Sequence, residues 1–196
     1  MEARQPFSRL GWALFAQMAV MLAAQWGVLL LARAARPGLL GEPVFLWAAS
    51  VLGAYGLGIP AACLVLWGTA APPAPARRPL GPVRFAALWA GSVGLAYLAN
   101  GATLLLTGLL GRLRGAAVVN PVESIGLYPL PLQLLLAGLI APAAEELLFR
   151  RLLLRRLRPY GERFALVASA LCFGLFHGNL NQFFYAFLLG LVLAEL

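Results

Sequence analysis

The amino-acid sequence predicts an all-α membrane protein, a polytopic bundle of about six transmembrane helices. Of its 196 residues, 62% are hydrophobic and 11% are charged, whereas a soluble domain is about 45–50% apolar and about 25% charged. Apolar runs close to the roughly 20 residues that a helix needs to cross a bilayer follow one another along the chain. All fifteen basic residues are arginines, and most of them flank these runs. This placement favours the lipid bilayer as a partner and excludes nucleic acid.

Six apolar segments are predicted to be membrane helices. The first is longer than the apolar core of a cleaved signal peptide, which has about 7–15 residues, so we expect it to be retained. The second contains Gly58 and Pro60, which are expected to kink it. The six segments are residues 10–32, 43–67, 85–110, a span from about 130 to 151, 164–177 and 181–196.

A proline-rich linker separates the second span from the third. Residues 69–82 contain five prolines, a density that excludes a helix. We therefore predict two regions. Residues 1–115 hold the first three spans and this linker, and residues 116–196 hold a membrane region that carries the candidate site.

The arginines also predict how the chain is oriented. If the N-terminus is cytoplasmic, eleven arginines lie in inner segments and four lie in outer loops. Inner loops of membrane proteins are enriched in Lys and Arg. We therefore expect a multi-pass protein of the plasma membrane of a bacterium, with its N-terminus inside.

Glu145 and Glu146 are the most informative residues because they lie inside a predicted span. A carboxylate in hydrocarbon costs at least about 2.5–3.5 kcal/mol, so we expect both to face the interior of the bundle. Glu146 and Arg150 are four residues apart and share a helix face, whereas Glu145 points about 100° away. One carboxylate is thus committed to Arg150, and the other is left to act as a general base.

The only histidine, His177, lies one span later and close to Asn179, Asn181 and Gln182. Polar groups inside membrane segments are candidates for function. The amide side chains are expected either to donate hydrogen bonds to a developing oxyanion or to hold helices together. The sequence leaves both roles open.

A metal site is the less favoured alternative for this cluster. Glu145, Glu146 and His177 carry oxygen and nitrogen atoms that can bind zinc. Their spacing differs from the HExxH pattern of zinc proteases. We therefore expect no cofactor and favour a water molecule that a glutamate activates directly.

Two ordered motifs in this region resemble those of a known family. Glu145, Glu146 and Arg150 match EExxxR, and Phe173 and His177 match FxxxH one helix later. The sequence therefore resembles the CPBP family, which comprises CAAX prenyl-protein proteases and bacteriocin-processing or immunity proteins and is also called the Abi family. The resemblance implies an intramembrane glutamic endopeptidase that cleaves a peptide or protein substrate near the membrane and requires no metal.

The resemblance covers roughly Asn120–Leu196 and implies a role for each motif residue. Glu145 would activate the attacking water. Glu146 and Arg150 would support and orient that glutamate, and His177 would hold the water or polarise the scissile carbonyl group.

One family motif has no counterpart in this sequence. Family members carry a second histidine in a downstream HxxxN or HxxxD pattern, which contributes to the oxyanion side of the site. Here Asn181 follows His177 at i+4 and imitates that pattern, but at the place of the earlier motif. We therefore expect a fragment, a truncated product or a degenerate member, in which peptidase activity is not assured.

Two other functions stay open. A non-catalytic membrane interaction protein, such as a bacteriocin-immunity protein of the same family, would act independently of Glu145. A transporter would instead use Glu145 in a proton path and would show proton-coupled flux.

Overall fold

The computed structural model describes residues 4–69, 72–73, 80–118, 120 and 122–195. The protein is 88% helical, and these ranges contain no β-strand. The prediction of an all-α protein is therefore confirmed. Most of the predicted proline-rich linker, residues 69–82, lies outside the described residues.

Six helices follow one another in the described part of the chain. Short 3₁₀ turns at Pro37–Gly41 and Glu123–Leu127 lie between some of them. The helices are α1 (Arg4–Ala35), α2 (Pro43–Val65), α3 (Pro82–Arg114), α4 (Leu130–Tyr160), α5 (Glu162–Phe176) and α6 (Leu180–Glu195).

Helices α1 to α4 are long and apolar enough to cross a membrane. Helices α5 and α6 have 15 and 16 residues. At about 1.5 Å per residue they are shorter than the hydrocarbon core, which is about 30 Å thick. The described part of the chain therefore contains four helices of full span length, where the sequence predicted about six spans. The protein is a helical membrane protein.

The chain forms two compact units, each assembled from separate stretches of sequence. Unit 1 comprises Met1–Ala71 and Gly126–Leu148, and unit 2 comprises Pro72–Ile125 and Phe149–Leu196. The boundary between them falls within α4. The predicted division between residues 115 and 116 stays a prediction.

In unit 1, α1 and α2 pack closely through small residues. A Cβ atom built on Gly58 would lie only 2.9 Å from the carbonyl oxygen of Gln17. Ala13 of α1 and Ala62 of α2 are both buried. Small side chains let helix backbones approach within a membrane, where van der Waals packing drives association.

Wider, π-helical turns precede two prolines inside the helices of unit 1. In α2 the π-helical segment is Leu52–Gly58 and precedes Pro60, and in α4 it is Leu136–Ile140 and precedes Pro142. A proline ring clashes with the carbonyl group four residues earlier. Hydrogen bonds that reach five residues back enlarge the turn and relieve this clash. The kink predicted at Gly58 and Pro60 stays a prediction.

In unit 2, α5 and α6 form a tight helical hairpin. A Cβ atom on Gly190 of α6 would lie 3.0 Å from the Cα atom of Ala170 in α5. The C-terminal part of α4 packs on the same hairpin, since the ring centroids of Phe149 and Phe173 are 5.1 Å apart. The Ser169 hydroxyl adds a hydrogen bond of 2.9 Å to the carbonyl oxygen of Phe149.

The turn between α5 and α6 places His177 at the end of α5. Gly178 has φ +64°, a left-handed conformation that glycine adopts at little cost. Asn179 then caps α6, because its Oδ1 atom accepts a hydrogen bond of 2.9 Å from the backbone N–H of Gln182. Asn is among the preferred residues at this position.

Candidate active site

Glu145 has a hydrogen-bond donor on another helix of unit 1. The hydroxyl group of Tyr55, in α2, donates to Glu145 Oε1 at 2.6 Å. Both side chains are half-buried. Hydrogen bonds from a hydroxyl group to an ionised oxygen are about 2.5–2.7 Å long. The tyrosine hydroxyl group therefore holds one carboxylate oxygen of Glu145 in place.

The adjacent acid, Glu146, has different surroundings. Its side chain is exposed, whereas that of Glu145 is half-buried. Glu146 also begins a third π-helical segment, Glu146–Leu154. The predicted pairing of Glu146 with Arg150 joins residues of different units and stays a prediction.

In unit 2, the arginine of the first motif contacts the phenylalanine of the second. Arg150 is only 9% exposed, and its Cζ atom lies 5.0 Å from the centroid of the Phe173 ring. A guanidinium group within about 6 Å of a ring centroid is attracted by the ring's quadrupole. The structure thus brings Arg150 and Phe173, which are 23 residues apart in the sequence, into contact.

The ring of His177 has a defined orientation. Its Nδ1 atom is 2.9 Å from the carbonyl oxygen of Phe173. A carbonyl oxygen only accepts, so Nδ1 carries a proton and donates it. Nε2 is then the acceptor in the neutral ring and a second donor in the protonated ring. His177 can therefore use Nε2 to accept from a water molecule or to donate to an oxyanion.

Asn179 and Gln182 are engaged in the turn itself. The Asn179 amide donates to the His177 carbonyl oxygen at 2.8 Å and to Gln182 Oε1 at 2.6 Å. Gln182 Nε2 donates to the Tyr185 hydroxyl oxygen at 3.1 Å. The bond between these two amides, together with the cap, favours the structural role over the oxyanion role for Asn179.

Asn181 differs from these neighbours. Its side chain is only 3% exposed, whereas those of Asn179 and Gln182 are half-buried. An amide N–H group can donate to the carbonyl oxygen of a bound substrate, so Asn181 stays a candidate oxyanion donor.

The predicted site residues divide between the two units. Glu145 and Glu146 belong to unit 1, whereas Arg150, His177 and Asn181 belong to unit 2. Each unit holds its own group in the contacts described above. The meeting of the two groups at one site stays a prediction.

The predicted zinc alternative draws its ligands from both units. Within either unit, the described residues contain no group of three His, Cys, Asp or Glu side chains placed to hold a metal ion. The zinc alternative would draw Glu145 and Glu146 from unit 1 and His177 from unit 2. Zinc stays the less favoured alternative, and the expectation that no cofactor is needed stays a prediction.

Two tyrosines near the site were not predicted from the sequence. Tyr55 binds Glu145, and Tyr185 lies beside His177 with ring centroids 6.5 Å apart. For Tyr55 a signal was present, since a phenol in the middle of an apolar span needs a partner. The identity of that partner, ninety residues away, is not readable from local spacing.

Comparison with known protein families agrees with the motifs. The family model described as type II CAAX prenyl endopeptidase Rce1-like matches residues 128–196. The resemblance to the CPBP family is confirmed for this region. The matched residues include both EExxxR and FxxxH, so this region of the chain is similar to CAAX prenyl endopeptidases. No curated protein matches the chain, and no solved structure matches it.

Proposed function

We propose that the protein is an intramembrane endopeptidase that hydrolyses a peptide bond through a water molecule activated by Glu145. The observation that supports this most is the position of Glu145 inside the family-matched region, with its carboxylate bound by Tyr55 at 2.6 Å. A carboxylate within a membrane helix is expensive, and a fixed one is suited to accept a proton.

The proposed reaction has two steps. In the first, the Glu145 carboxylate takes a proton from water, and the water oxygen bonds to the scissile carbonyl carbon. The carbonyl oxygen becomes an oxyanion. In the second, the carbon–nitrogen bond breaks, and the proton passes from Glu145 to the leaving nitrogen. The products are a carboxylic acid and an amine.

The residues of unit 2 would assist this reaction from the substrate side. His177 Nε2 would hold the water or, when protonated, donate to the carbonyl oxygen. Asn181 would donate to the oxyanion, since such donors stabilise the charge that develops there. Arg150, together with Glu146, would hold the catalytic glutamate in place. This assignment requires Glu145 and His177 to reach one water molecule.

We further propose that the substrate is a peptide or protein segment at the surface of a bacterial plasma membrane. The matched family is described as a prenyl endopeptidase, so peptides that end in a CAAX sequence, with and without a prenyl group, are the first to test. The arginine distribution supports a cytoplasmic N-terminus.

Replacement of Glu145 by glutamine tests the proposed function. The Glu145→Gln variant keeps the shape and accepts a hydrogen bond but cannot take the proton from water. We expect cleavage by the purified protein in liposomes to fall by about 100- to 10,000-fold. Glu42→Gln, at an exposed acid outside the candidate site, is the matched control and should cleave like the wild type.

Two outcomes would contradict the proposal. Cleavage by Glu145→Gln at the wild-type rate would exclude Glu145 as the base. Absence of cleavage by the wild type, combined with protection of cells from a peptide toxin that survives Glu145→Gln, would favour the non-catalytic immunity function instead.

A further inference from the structure

We infer that Tyr55, a residue of α2, is a positioning residue for Glu145. This inference rests on the proposed function. Nothing in the two sequence motifs includes this residue. It lies 90 positions before Glu145, and its hydroxyl group donates directly to Glu145 Oε1.

The depth of Tyr55 in its helix argues against a role as a membrane-interface anchor. It lies twelve residues after Pro43 and ten residues before Val65, the two ends of α2. At about 1.5 Å per residue it is at least roughly 15 Å from either end. Anchoring tyrosines sit at the level of the lipid headgroups. A phenol near the middle of a span needs a polar partner, and here that partner is the candidate general base.

The backbone around Tyr55 is held in a specific conformation. The residue lies inside the π-helical segment Leu52–Gly58. Gly58, at the end of this segment, packs against the Gln17 carbonyl oxygen so closely that a Cβ atom would lie 2.9 Å away. The segment is therefore pinned against α1, and the direction of the Tyr55 side chain is fixed with it.

Glu145 in turn lies close to a π-helical segment. Three residues before it, Pro142 follows the π-helical segment Leu136–Ile140, and the N–H of Ala141 donates five residues back to Leu136. Each extra residue in a turn rotates the following side chains by about 100° relative to a regular α-helix. The two wide turns thus set the faces on which Tyr55 and Glu145 meet.

The hydrogen bond from Tyr55 would orient the Glu145 carboxylate without taking part in proton transfer. Tyr55 keeps its own proton and donates a hydrogen bond to Oε1. A proton taken from water would go to Oε2, so this hydrogen bond can persist through both steps of hydrolysis. A carboxylate fixed through one oxygen presents the other in a constant direction, and a displacement of about 1 Å at such a group can cost about 100-fold in rate.

The decisive variant is Tyr55→Phe, which removes the hydroxyl group and keeps the ring. We expect kcat for peptide cleavage in liposomes to fall by about 10- to 100-fold, with KM within about twofold of the wild type because the bond to Glu145 does not involve substrate. Tyr97→Phe is the matched control, since Tyr97 is a tyrosine on α3 with 75% of its surface exposed. It should leave both constants unchanged.

A spectroscopic readout reports on the same bond without activity. The infrared carboxylate band assigned to Glu145 by comparison with Glu145→Gln should shift in Tyr55→Phe and stay in place in Tyr97→Phe. Replacement of Tyr55 by a fluorinated tyrosine keeps the ring and the hydroxyl group and makes the hydroxyl a stronger donor. It should also shift the band, even if Tyr55→Phe does not fold.

The outcomes separate this inference from the proposed function. If Glu145→Gln is inactive while Tyr55→Phe has the wild-type kcat, Tyr55 is not a positioning residue and the proposed function stands. If neither substitution at position 55 moves the infrared band, the inference is equally overturned. If Glu145→Gln cleaves normally, the proposed function fails, and the inference fails with it.

Discussion

The orientation of the His177 ring determines which of its nitrogens is available for chemistry. The Nδ1–H group is used in a hydrogen bond of 2.9 Å to the Phe173 carbonyl oxygen. Phe173 in turn stacks edge-to-face with the imidazole and lies under the guanidinium group of Arg150. One phenylalanine thus supports two polar residues of the motifs. These contacts explain the four-residue spacing of FxxxH, because the carbonyl group four residues earlier on a helix lies within reach of the histidine ring.

This orientation predicts unequal effects of two amide substitutions at position 177. The amide nitrogen of glutamine can occupy a place near Nε2, whereas that of asparagine lies closer to Nδ1. We expect His177→Gln to retain at least about tenfold more cleavage activity than His177→Asn, because donation to an oxyanion contributes roughly two to three orders of magnitude in rate. Steady-state kinetics in liposomes measures this. Equal activity of the two variants, or the opposite order, would show that Nε2 is not the working nitrogen.

At the scale of single elements, the α5–α6 hairpin depends on close backbone contact. Gly190 allows this contact, since a Cβ atom there would lie 3.0 Å from Ala170 Cα and 3.3 Å from Phe173 Cδ1. The neighbour at 3.0 Å is a backbone atom, so a rotamer change cannot make room. Because Phe173 also contacts His177 and Arg150, a displacement of α6 would reach the candidate site.

We therefore predict that Gly190→Ala destabilises the protein by about 1–3 kcal/mol, the usual cost of overpacking. Gly91→Ala is the matched control, because Gly91 lies in the interior of α3 with open space around it. Because alanine in a helix interior is more stable than glycine by about 0.5–1 kcal/mol, Gly91→Ala should not destabilise the protein. Unfolding in mixed micelles measures both variants. Equal stability of Gly190→Ala and the wild type would contradict the close packing of α5 on α6.

The positions of the helices could be predicted from the sequence, whereas their internal irregularities could be predicted only in part. Apolar runs between arginines and prolines located the six helices of the described residues. Four of these helices have the length and composition that the bilayer imposes on a span. The prediction treated residues 145–150 as regular α-helix. The chain instead contains π-helical segments, at Leu136–Ile140 before Pro142 and at Glu146–Leu154. A proline signals a disturbance, but its form depends on packing.

The candidate site could be predicted only as far as its motifs extend. Glu145 and His177 stand out because charged and polar groups are expensive inside a membrane. Tyr55 does not stand out by charge, and its contact with Glu145 joins residues of α2 and α4 that are ninety positions apart within unit 1. The capping role of Asn179 could be suspected from its place before α6, although the sequence alone left the oxyanion role equally open.

At the scale of the whole molecule, the family-matched region extends over both compact units. Residues 128–148 of the match belong to unit 1, and residues 149–196 belong to unit 2. The EExxxR motif is itself divided, with Glu145 and Glu146 before the boundary and Arg150 after it. The proposed activity therefore depends on how the acids of one unit meet the histidine of the other.

Cross-linking between positions 145 and 177 tests this meeting most directly. With Cys63 and Cys172 replaced by alanine, the pair Glu145→Cys and His177→Cys is treated in native membranes with a short bifunctional thiol reagent. The account predicts an efficient cross-link for this pair. It predicts little cross-linking for the control pair Glu145→Cys and Leu175→Cys, because Leu175 is an exposed residue of α5, the helix that ends at His177. No cross-link between 145 and 177, or an equal yield for both pairs, would contradict a shared catalytic site.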